Sequence, residues 1–261
     1  MNKEEQIKFI EDNYPLFKNH ISKRLIRHDF FREIKTELQA YLLGFYAADG
    51  NINEKRKTLR VHLHEQDSDI VNLFKDVISP DARTFVVFPK TTTGRNHMKV
   101  HASKSYGVDI TSAKICTDLV ALNFGYKKTY QEHDFPEMEE SLLRHFVRGY
   151  FDGDGSISAT YQKPINNRNE RMRMSFMIDF KMPKLAMAIQ KLFAANNITS
   201  NIIYLKRDDM YRLSTASIPN IKRIFNFLYK DSHFYGNRKY KKFNHIVNTE
   251  VTQLIAEYRN A

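Results

Sequence analysis

The spacing of apolar residues predicts helices and strands in a regular order. Segment 34–48, IKTELQAYLLGFYAA, is apolar almost throughout and predicts a buried helix, and Gly50 follows as a helix-stop signal. The period changes to two in segment 58–66, TLRVHLHEQ. Apolar and basic or polar side chains alternate there: Leu59, Arg60, Val61, His62, Leu63 and His64. This alternation predicts a strand with one buried face and one polar face.

The order of predicted elements occurs twice along the chain. After the first strand, the pattern predicts a capped amphipathic helix at 67–79, two strands within 83–110, a helix at 112–125 ending at Gly125, and a connector. The second copy has an apolar helix at 141–155, a strand at 171–179, a helix at 182–197, a hairpin at 200–217 and a helix at 218–230. The chain is therefore predicted to be an internal repeat of helix-β-β-helix-β-β-helix units, with a longer first hairpin in the second copy.

Two helical patterns precede the repeat, within residues 3–35. We expect an N-terminal helical segment at 1–33, a first half at 34–135 and a second half at 136–261. The N-terminal segment could be a small helix-turn-helix module or a helical cap packed on the first half, and the sequence leaves both open.

The two long apolar helices carry small residues at matching positions. When the copies are aligned on Gly50 and Gly155, Gly44 matches Gly149, and Ala48 matches Gly153. Gly44 and Ala48 are four residues apart, as are Gly149 and Gly153, so the two small residues of each helix share one face. Glycine inside a helix costs about 1 kcal/mol relative to alanine, so its recurrence indicates close packing of the two helices.

The acidic residues at the ends of these helices also match. Asp49 corresponds to Asp154, whereas Asp152 corresponds to Ala47 and is expected to matter much less. A carboxylate at a helix C-terminus is disfavoured by the helix dipole, and two that meet repel each other. Such a pair favours a hard divalent cation, Mg²⁺ above all and Mn²⁺ as the alternative. A divalent cation beside basic strand faces is the arrangement that catalyses phosphodiester hydrolysis.

Charge indicates the partner. There are 41 Lys and Arg residues against 30 Asp and Glu, a net charge of +11, which favours a polyanion and most often nucleic acid. A β-ribbon can enter the major groove, where basic and polar side chains read base edges. The candidates on predicted strands are Arg60, His62, His64, Lys99, His101, Arg171, Arg173, Ser175, Lys206 and Arg212.

Composition excludes several other classes. The single cysteine, Cys116, permits no internal disulfide and no cysteine-based zinc framework. The segment HLHEQ lacks the spacing of a zinc protease motif, and DGDGSIS lacks the later ligands of a calcium loop. No apolar run approaches a membrane span and the N-terminus has no secretory pattern, so we expect an intracellular protein, in the cytoplasm of a bacterium or phage host, or in an organelle.

The two repeated segments resemble the signature of the LAGLIDADG homing endonucleases. Segment 42–50, LLGFYAADG, matches the nine-residue motif at Leu42, Gly44, Ala48, Asp49 and Gly50, and segment 147–155, VRGYFDGDG, matches it at Gly149, Asp152, Asp154 and Gly155. The resemblance covers about residues 35–250, because the elements after each motif also follow the family's order.

The resemblance implies an α+β fold made of two pseudo-twofold-related αββαββα repeats, whose antiparallel saddle sheets lie on DNA. It implies a single-chain, monomeric endonuclease of intron homing that cuts a long asymmetric site. Asp49 and Asp154 would bind the catalytic metals, Lys128 and Lys239 are candidates for basic residues beside them, and Glu65 is a candidate for the polar residue that positions water.

Other functions remain open at this point. An intron RNA maturase of the same fold would share these features, and so would a DNA-binding protein whose nuclease site has decayed. The two retained aspartates argue against decay, and only weakly against a maturase. An intein is disfavoured because the chain begins Met-Asn and shows no splice junction.

Overall fold

The computed structural model describes residues 1–20, 22–89, 91–93, 99–101, 103–164 and 170–259. Its N-terminal part contains helix α1 (Lys3–Asn13) and a short hairpin of strands β1 (Phe17–Lys18) and β2 (Leu25–Ile26). A capping box between Asn2 and Glu5 starts α1. The second helical pattern in this region was therefore a wrong prediction. Lys23 adopts a left-handed conformation with φ 59°, and the backbone of Asn19 pairs with Arg24 to close a turn.

The first half begins with helix α2 (Glu37–Asp49), which Thr36 caps through a hydrogen bond to Gln39 N. The next elements are β3 (Asn51–Asn53), β4 (Thr58–His64), a 3-10 turn (Glu65–Asp67) and α3 (Ser68–Ile78). They are followed by β5 (Thr84–Val87), β6 (Thr91–Thr93), β7 (Lys99–His101), β8 (Ser105–Thr111) and α4 (Ala113–Ala121). The sequence predicted two strands between α3 and α4, where the described residues form four, and it placed the end of α4 at Gly125, four residues beyond the observed end.

The second half repeats this order with different lengths. It contains α5 (Glu140–Asp154), β9 (Gly155–Gln162), β10 (Arg171–Phe180), α6 (Pro183–Ala195), β11 (Asn201–Leu205), β12 (Met210–Thr215) and α7 (Ile218–Tyr229). Two further helices, α8 (Asn237–Asn248) and α9 (Val251–Arg259), complete the described chain. The long hairpin β9–β10 agrees with the longer first hairpin predicted for this copy.

Each half carries one antiparallel four-stranded sheet. The strand orders are β3-β4-β8-β5 and β9-β10-β12-β11, so the first hairpin of each half lies on one side of its sheet and the second on the other. The predicted alternation on β4 is confirmed, because Leu59, Val61 and Leu63 are buried while the residues between them are exposed. Strands β6 and β7 form a separate two-stranded sheet.

The N-terminal segment packs on the first half. The Arg27 side chain donates to Val77 O at 3.0 Å and to Tyr14 O at 2.6 Å, which ties the segment to α3. Gln39 on α2 donates to Phe30 O at 2.7 Å. Ile10, Tyr14, Ile26, Phe30, Phe31 and Ile34 are buried in the same core as α2. This arrangement is that of a cap on the first half.

No helix among the described residues has both the length and the apolar composition that crossing a bilayer requires.

Candidate active site and nucleic-acid interface

Helices α2 and α5 touch backbone to backbone at the centre of the molecule. A Cβ atom added at Gly44 would lie 1.9 Å from Phe146 O, and one added at Gly149 would lie 2.0 Å from Tyr41 O. Neither position can hold a larger residue without moving a helix backbone. The close packing predicted from the repeated glycines is confirmed.

The glycines that follow the two helices have a different role from the one predicted. Gly50 and Gly155 are extended, with φ −74° and −80°, so no left-handed conformation requires glycine there. A Cβ at Gly50 would lie 2.0 Å from the Tyr46 ring, and one at Gly155 would lie 2.0 Å from the Phe151 ring. Glycine is needed because an aromatic ring of the preceding turn occupies the place that a Cβ atom would take.

This packing brings the two helix-end carboxylates together. Asp49 Oδ2 would be 3.2 Å from a Cβ at Gly153, the neighbour of Asp154 across the helix interface. Both residues remain exposed to solvent, yet nearby protein atoms remove part of the hydration of their carboxylates. Loss of hydration and the charge of Asp49 raise the pKa of Asp154 to about 6, and loss of hydration also raises the pKa of Asp49. The carboxylates therefore disfavour each other's charge.

A lysine lies beside each helix end in corresponding positions. Lys128 Nζ donates to Ala48 O at 3.2 Å and lies 5.5 Å from the Tyr46 ring centroid. Lys239 Nζ donates to Phe151 O at 3.0 Å and also to Gly153 O, and it lies 5.7 Å from the Phe151 ring centroid. Burial lowers the pKa of both lysines, that of Lys128 to about 8, although the two aspartates oppose the shift.

The first lysine is held by its own short turn. Lys127 has φ 56°, a left-handed conformation that turns the chain sharply just before Lys128. The Tyr46 hydroxyl donates to Phe124 O at 2.8 Å and ties this segment to α2. His133 Nε2 donates to Lys128 O, and its ring lies 4.8 Å from that of Phe124.

The second lysine depends on an aspartate for which the sequence predicted little importance. Asp152 is buried and accepts hydrogen bonds from Tyr41 Oη at 3.0 Å, Tyr229 Oη at 2.7 Å and Gly236 N at 2.7 Å. Gly236 precedes α8, whose third residue is Lys239. Asp152 thus anchors the start of the helix that carries the lysine. Nothing in the local sequence pattern indicates these partners, since Tyr229 and Gly236 come from distant segments.

Two further acids that act on this pair were not predicted from the sequence. Asp179 on β10 adds to the raised pKa of Asp154, after burial and the Asp49 charge, and Asp67 adds to that of Asp49. Both are ion-paired, Asp179 with Arg212 at 2.7 Å and Asp67 with Arg238 at 2.7 Å. Asp67 therefore makes no side-chain cap for α3, contrary to the predicted capped helix.

Glu65 lies outside the strand that contains the rest of the predicted segment 58–66. Strand β4 ends at His64, and Glu65 begins the 3-10 turn, where its exposed carboxylate pairs with Lys104. Lys239 lies in the first turn of α8.

The donor set at the helix ends fits a hard divalent cation. In the ranges that the structure describes, no three His, Cys, Asp or Glu side chains form a preformed metal cluster. The site instead offers two carboxylates of raised pKa, which a cation would stabilise in the ionised form. Oxygen ligands suit Mg²⁺, which usually keeps several waters and takes one or two carboxylates together with substrate phosphate.

The outward faces of the two sheets carry most of the predicted DNA-binding residues. Arg60, His62, His64, Arg171 and Arg173 are exposed, and Ser175 and Arg212 are partly exposed. Two arginines have carboxylate partners across a strand pair, Arg60 with Asp109 and Arg212 with Asp179, each through two hydrogen bonds. Arg171 donates to Gln162 at 2.7 Å.

Three of the predicted DNA-binding residues do not belong to this exposed set. Lys206 lies in the turn between β11 and β12 and not on a strand. Lys99 and His101 fall in β7, and their side chains lie outside the described residues.

Comparisons with known proteins agree with this architecture. Residues 141–229 match the family model described as LAGLIDADG-like domain. The chain resembles the meganuclease I-SmaMI bound to uncleaveable DNA, with a TM-score of 0.55 and 14% identity over 86% of this chain and 96% of that chain. It resembles I-CpaMI bound to uncleaved DNA with a TM-score of 0.54 and 14% identity over 87% and 99% of the two chains.

A third structure, I-AabMI bound to uncleaved DNA, gives a TM-score of 0.56 at 10% identity over 87% of this chain and 97% of that chain. No curated protein matches the sequence at a significant level. The resemblance seen in the two nine-residue segments is confirmed, and at these identities the solved structures establish the fold.

Proposed function

We propose that this chain, which has the LAGLIDADG homing-endonuclease fold in its single-chain, two-motif form, is a site-specific endonuclease. It would cut both strands of a long asymmetric DNA site. The observation that carries the proposal is the pair Asp49 and Asp154, held together at the ends of two helices with Lys128 and Lys239 in corresponding places beside them. The related proteins I-SmaMI, I-CpaMI and I-AabMI have structures with DNA.

Asp49 and Asp154 are the residues that would hold Mg²⁺. A bound divalent cation supplies charge neutralisation of the scissile phosphate and acidifies a bound water. Both lysines interact electrostatically with Asp49 and Asp154, and they would add positive charge where phosphate charge builds up. The lowered pKa of Lys128, about 8, leaves a fraction of this amine neutral near pH 8 and able to accept a proton.

The two sheets would place unlike side chains in the major groove on either side of this centre. The first presents Arg60, His62 and His64, and the second presents Arg171, Arg173 and Ser175. We propose that they read unlike half-sites, and that a monomer suffices because both carboxylates belong to one chain. With about one helical turn per sheet, the site would span about two turns of DNA.

The test is cleavage of a randomised duplex library with Mg²⁺, followed by sequencing of the cut ends. The protein is expected to produce cuts within one recurring site, and Asp49→Asn and Asp154→Asn are each expected to abolish cutting but to keep binding to that site. Asp76→Asn is the matched control, because Asp76 is an exposed aspartate on α3. Undiminished cutting by Asp154→Asn would contradict the assignment, and binding without cutting by the unaltered protein would leave only a DNA-binding role.

A further inference from the structure

An aromatic side chain lies among the basic residues of the first sheet. In the strand registers, His62 on β4 pairs with Gly107 on β8, and Gly107 pairs with Phe85 on β5. Paired residues point to the same face of a sheet, so Phe85 shares the outward face with His62. Strand β5 is the edge strand of this sheet.

The glycine in the middle of this row lets the ring reach across a strand. A Cβ at Gly107 would lie 2.4 Å from the tip of the Phe85 ring, so the ring covers the place where any other residue would put its side chain. The ring centroid is 5.3 Å from that of His62, and the Arg60 guanidinium carbon lies 5.3 Å from the Phe85 centroid. The contacts with β4 fix the ring, which stays partly exposed.

Its surroundings indicate what covers the exposed part of the ring. Arg60 and His62, whose side chains touch the ring, are exposed, and Arg60 also pairs with Asp109 on the same face, so charged and hydrogen-bonding groups surround the ring. Such a face suits the major groove of DNA, and there the apolar group that a side chain meets is the C5-methyl of thymine. The neighbouring edge residue Val87 is also exposed and points to the same face, since it pairs with Ser105.

The corresponding row of the second sheet is built differently. Counting from the helix ends, Asn51 pairs with Arg60 and Ser156 pairs with Met177, so His62 corresponds to Asp179. That row reads Asp179, Arg212 and Ile203, with an ion pair where the first sheet has an aromatic contact. Of these two corresponding rows, only the one in the first sheet contains a phenyl ring.

We propose that Phe85 is a specificity-determining residue that contacts the C5-methyl group of one thymine in the half-site bound by the first sheet. Gly107 makes room for the ring, and Arg60 and His62 hold it toward the groove. The proposal rests on the proposed DNA recognition and adds to it the identity of one base and the atom that is read.

The experiment first selects the preferred site from a randomised duplex library, and then measures binding to that site with each thymine of the first half-site replaced in turn by deoxyuridine. This replacement removes only the methyl group. The unaltered protein is expected to lose affinity by about fourfold at one position, the value of one buried methyl group. Phe85→Ser is expected to bind the thymine and deoxyuridine duplexes equally, and Phe85→Leu to keep most of the difference.

Ile203→Ser is the matched control, since Ile203 occupies the corresponding place in the second sheet and is exposed. It is expected to leave the thymine preference of the first half-site unchanged. Equal binding of thymine and deoxyuridine at every position by the unaltered protein would overturn the proposal, and so would an unchanged preference in Phe85→Ser. Failure to select any sequence would instead contradict the proposed function, so the two failures are distinct.

Discussion

The two ends of the α2–α5 helix pair place acidic residues in opposite situations. At the N-terminal end of α2, Glu37 accepts hydrogen bonds from Arg148 Nη2 at 2.7 Å, His233 N at 2.7 Å and Gln6 Nε2 at 3.1 Å. At the C-terminal ends, Asp49 and Asp154 face each other at the negative poles of their helices. The helix pair thus has a closed end, where an ion pair and hydrogen bonds satisfy the Glu37 carboxylate. It also has an open end, where the like charges of Asp49 and Asp154 meet.

The pKa values express this difference. Burial would raise the pKa of Glu37, but Arg148 and His233 outweigh it and hold the pKa at about 2. At the other end burial and Asp49 raise the pKa of Asp154 to about 6. The closed end therefore contributes to folding, whereas the open end costs stability until a cation or substrate binds.

The largest expected effect comes from breaking the closed end. Arg148 is fully buried and also donates to Phe234 O at 2.8 Å and Leu228 O at 2.8 Å. We expect Arg148→Met to lower the free energy of unfolding by about 3–5 kcal/mol, because it leaves Glu37 buried without its partner. Urea denaturation at pH 7 measures it.

A double variant separates the charge from the packing. Arg148→Met with Glu37→Met leaves no buried charge and should recover part of the loss. If the double variant were as unstable as the sum of both single variants, the unpaired charge would not be the cause.

The sequence predicts the open end better than the closed end, for a physical reason. Asp49 and Asp154 follow from a pattern repeated at matching positions, which local spacing reveals. Glu37, Arg148 and His233 lie far apart in sequence and meet only after packing, as do Asp152 and Gly236. Periodicity identified helices α1 to α7 and part of the strands, but it did not predict α8 and α9, and it could not show which polar residues become buried partners.

His145 makes the closed end sensitive to acid. Burial and the neighbouring Arg148 lower the pKa of His145 to about 3, and Arg148 Nη1 lies 2.7 Å from its Nδ1. The unfolded chain binds this proton near pH 6.5, so stability is complete above that value and is lost as the pH falls toward 3, by at most about 1.4 kcal/mol per pH unit. His145→Asn keeps an acceptor that does not titrate, and its stability should depend less on pH in this window. An unchanged slope in thermal melts would contradict the assignment.

The open end should respond in the opposite direction. Because the pKa of Asp154 is raised to about 6, its ionised form opposes folding above that pH, and this cost disappears as the pH falls from about 6 toward 3.8. We expect Asp154→Asn to stabilise the metal-free protein at pH 8 by about 1 kcal/mol, a value reduced because the side chain is exposed. Mg²⁺ should raise the melting temperature of the unaltered protein and not that of the variant. A destabilised variant, or equal shifts with Mg²⁺, would refute this account of the open end.

The smallest effect is expected from an arginine–carboxylate pair that resembles the closed end in geometry but not in burial. Arg212 donates to both oxygens of Asp179 at 2.7 Å, as closely as Arg148 approaches Glu37, but about a quarter to a third of each side chain is exposed. Solvent screens this pair, so Arg212→Met should change the free energy of unfolding by no more than about 1 kcal/mol. The same Arg-to-Met change is thus made at two sites that differ mainly in hydration. Urea denaturation of both variants gives the ratio of the two losses in the free energy of unfolding. Because Asp179 adds to the raised pKa of Asp154, the loss of Arg212 should also shift the pH dependence of Mg²⁺ binding upward. A loss of stability as large as that of Arg148→Met would show that burial does not separate the two pairs.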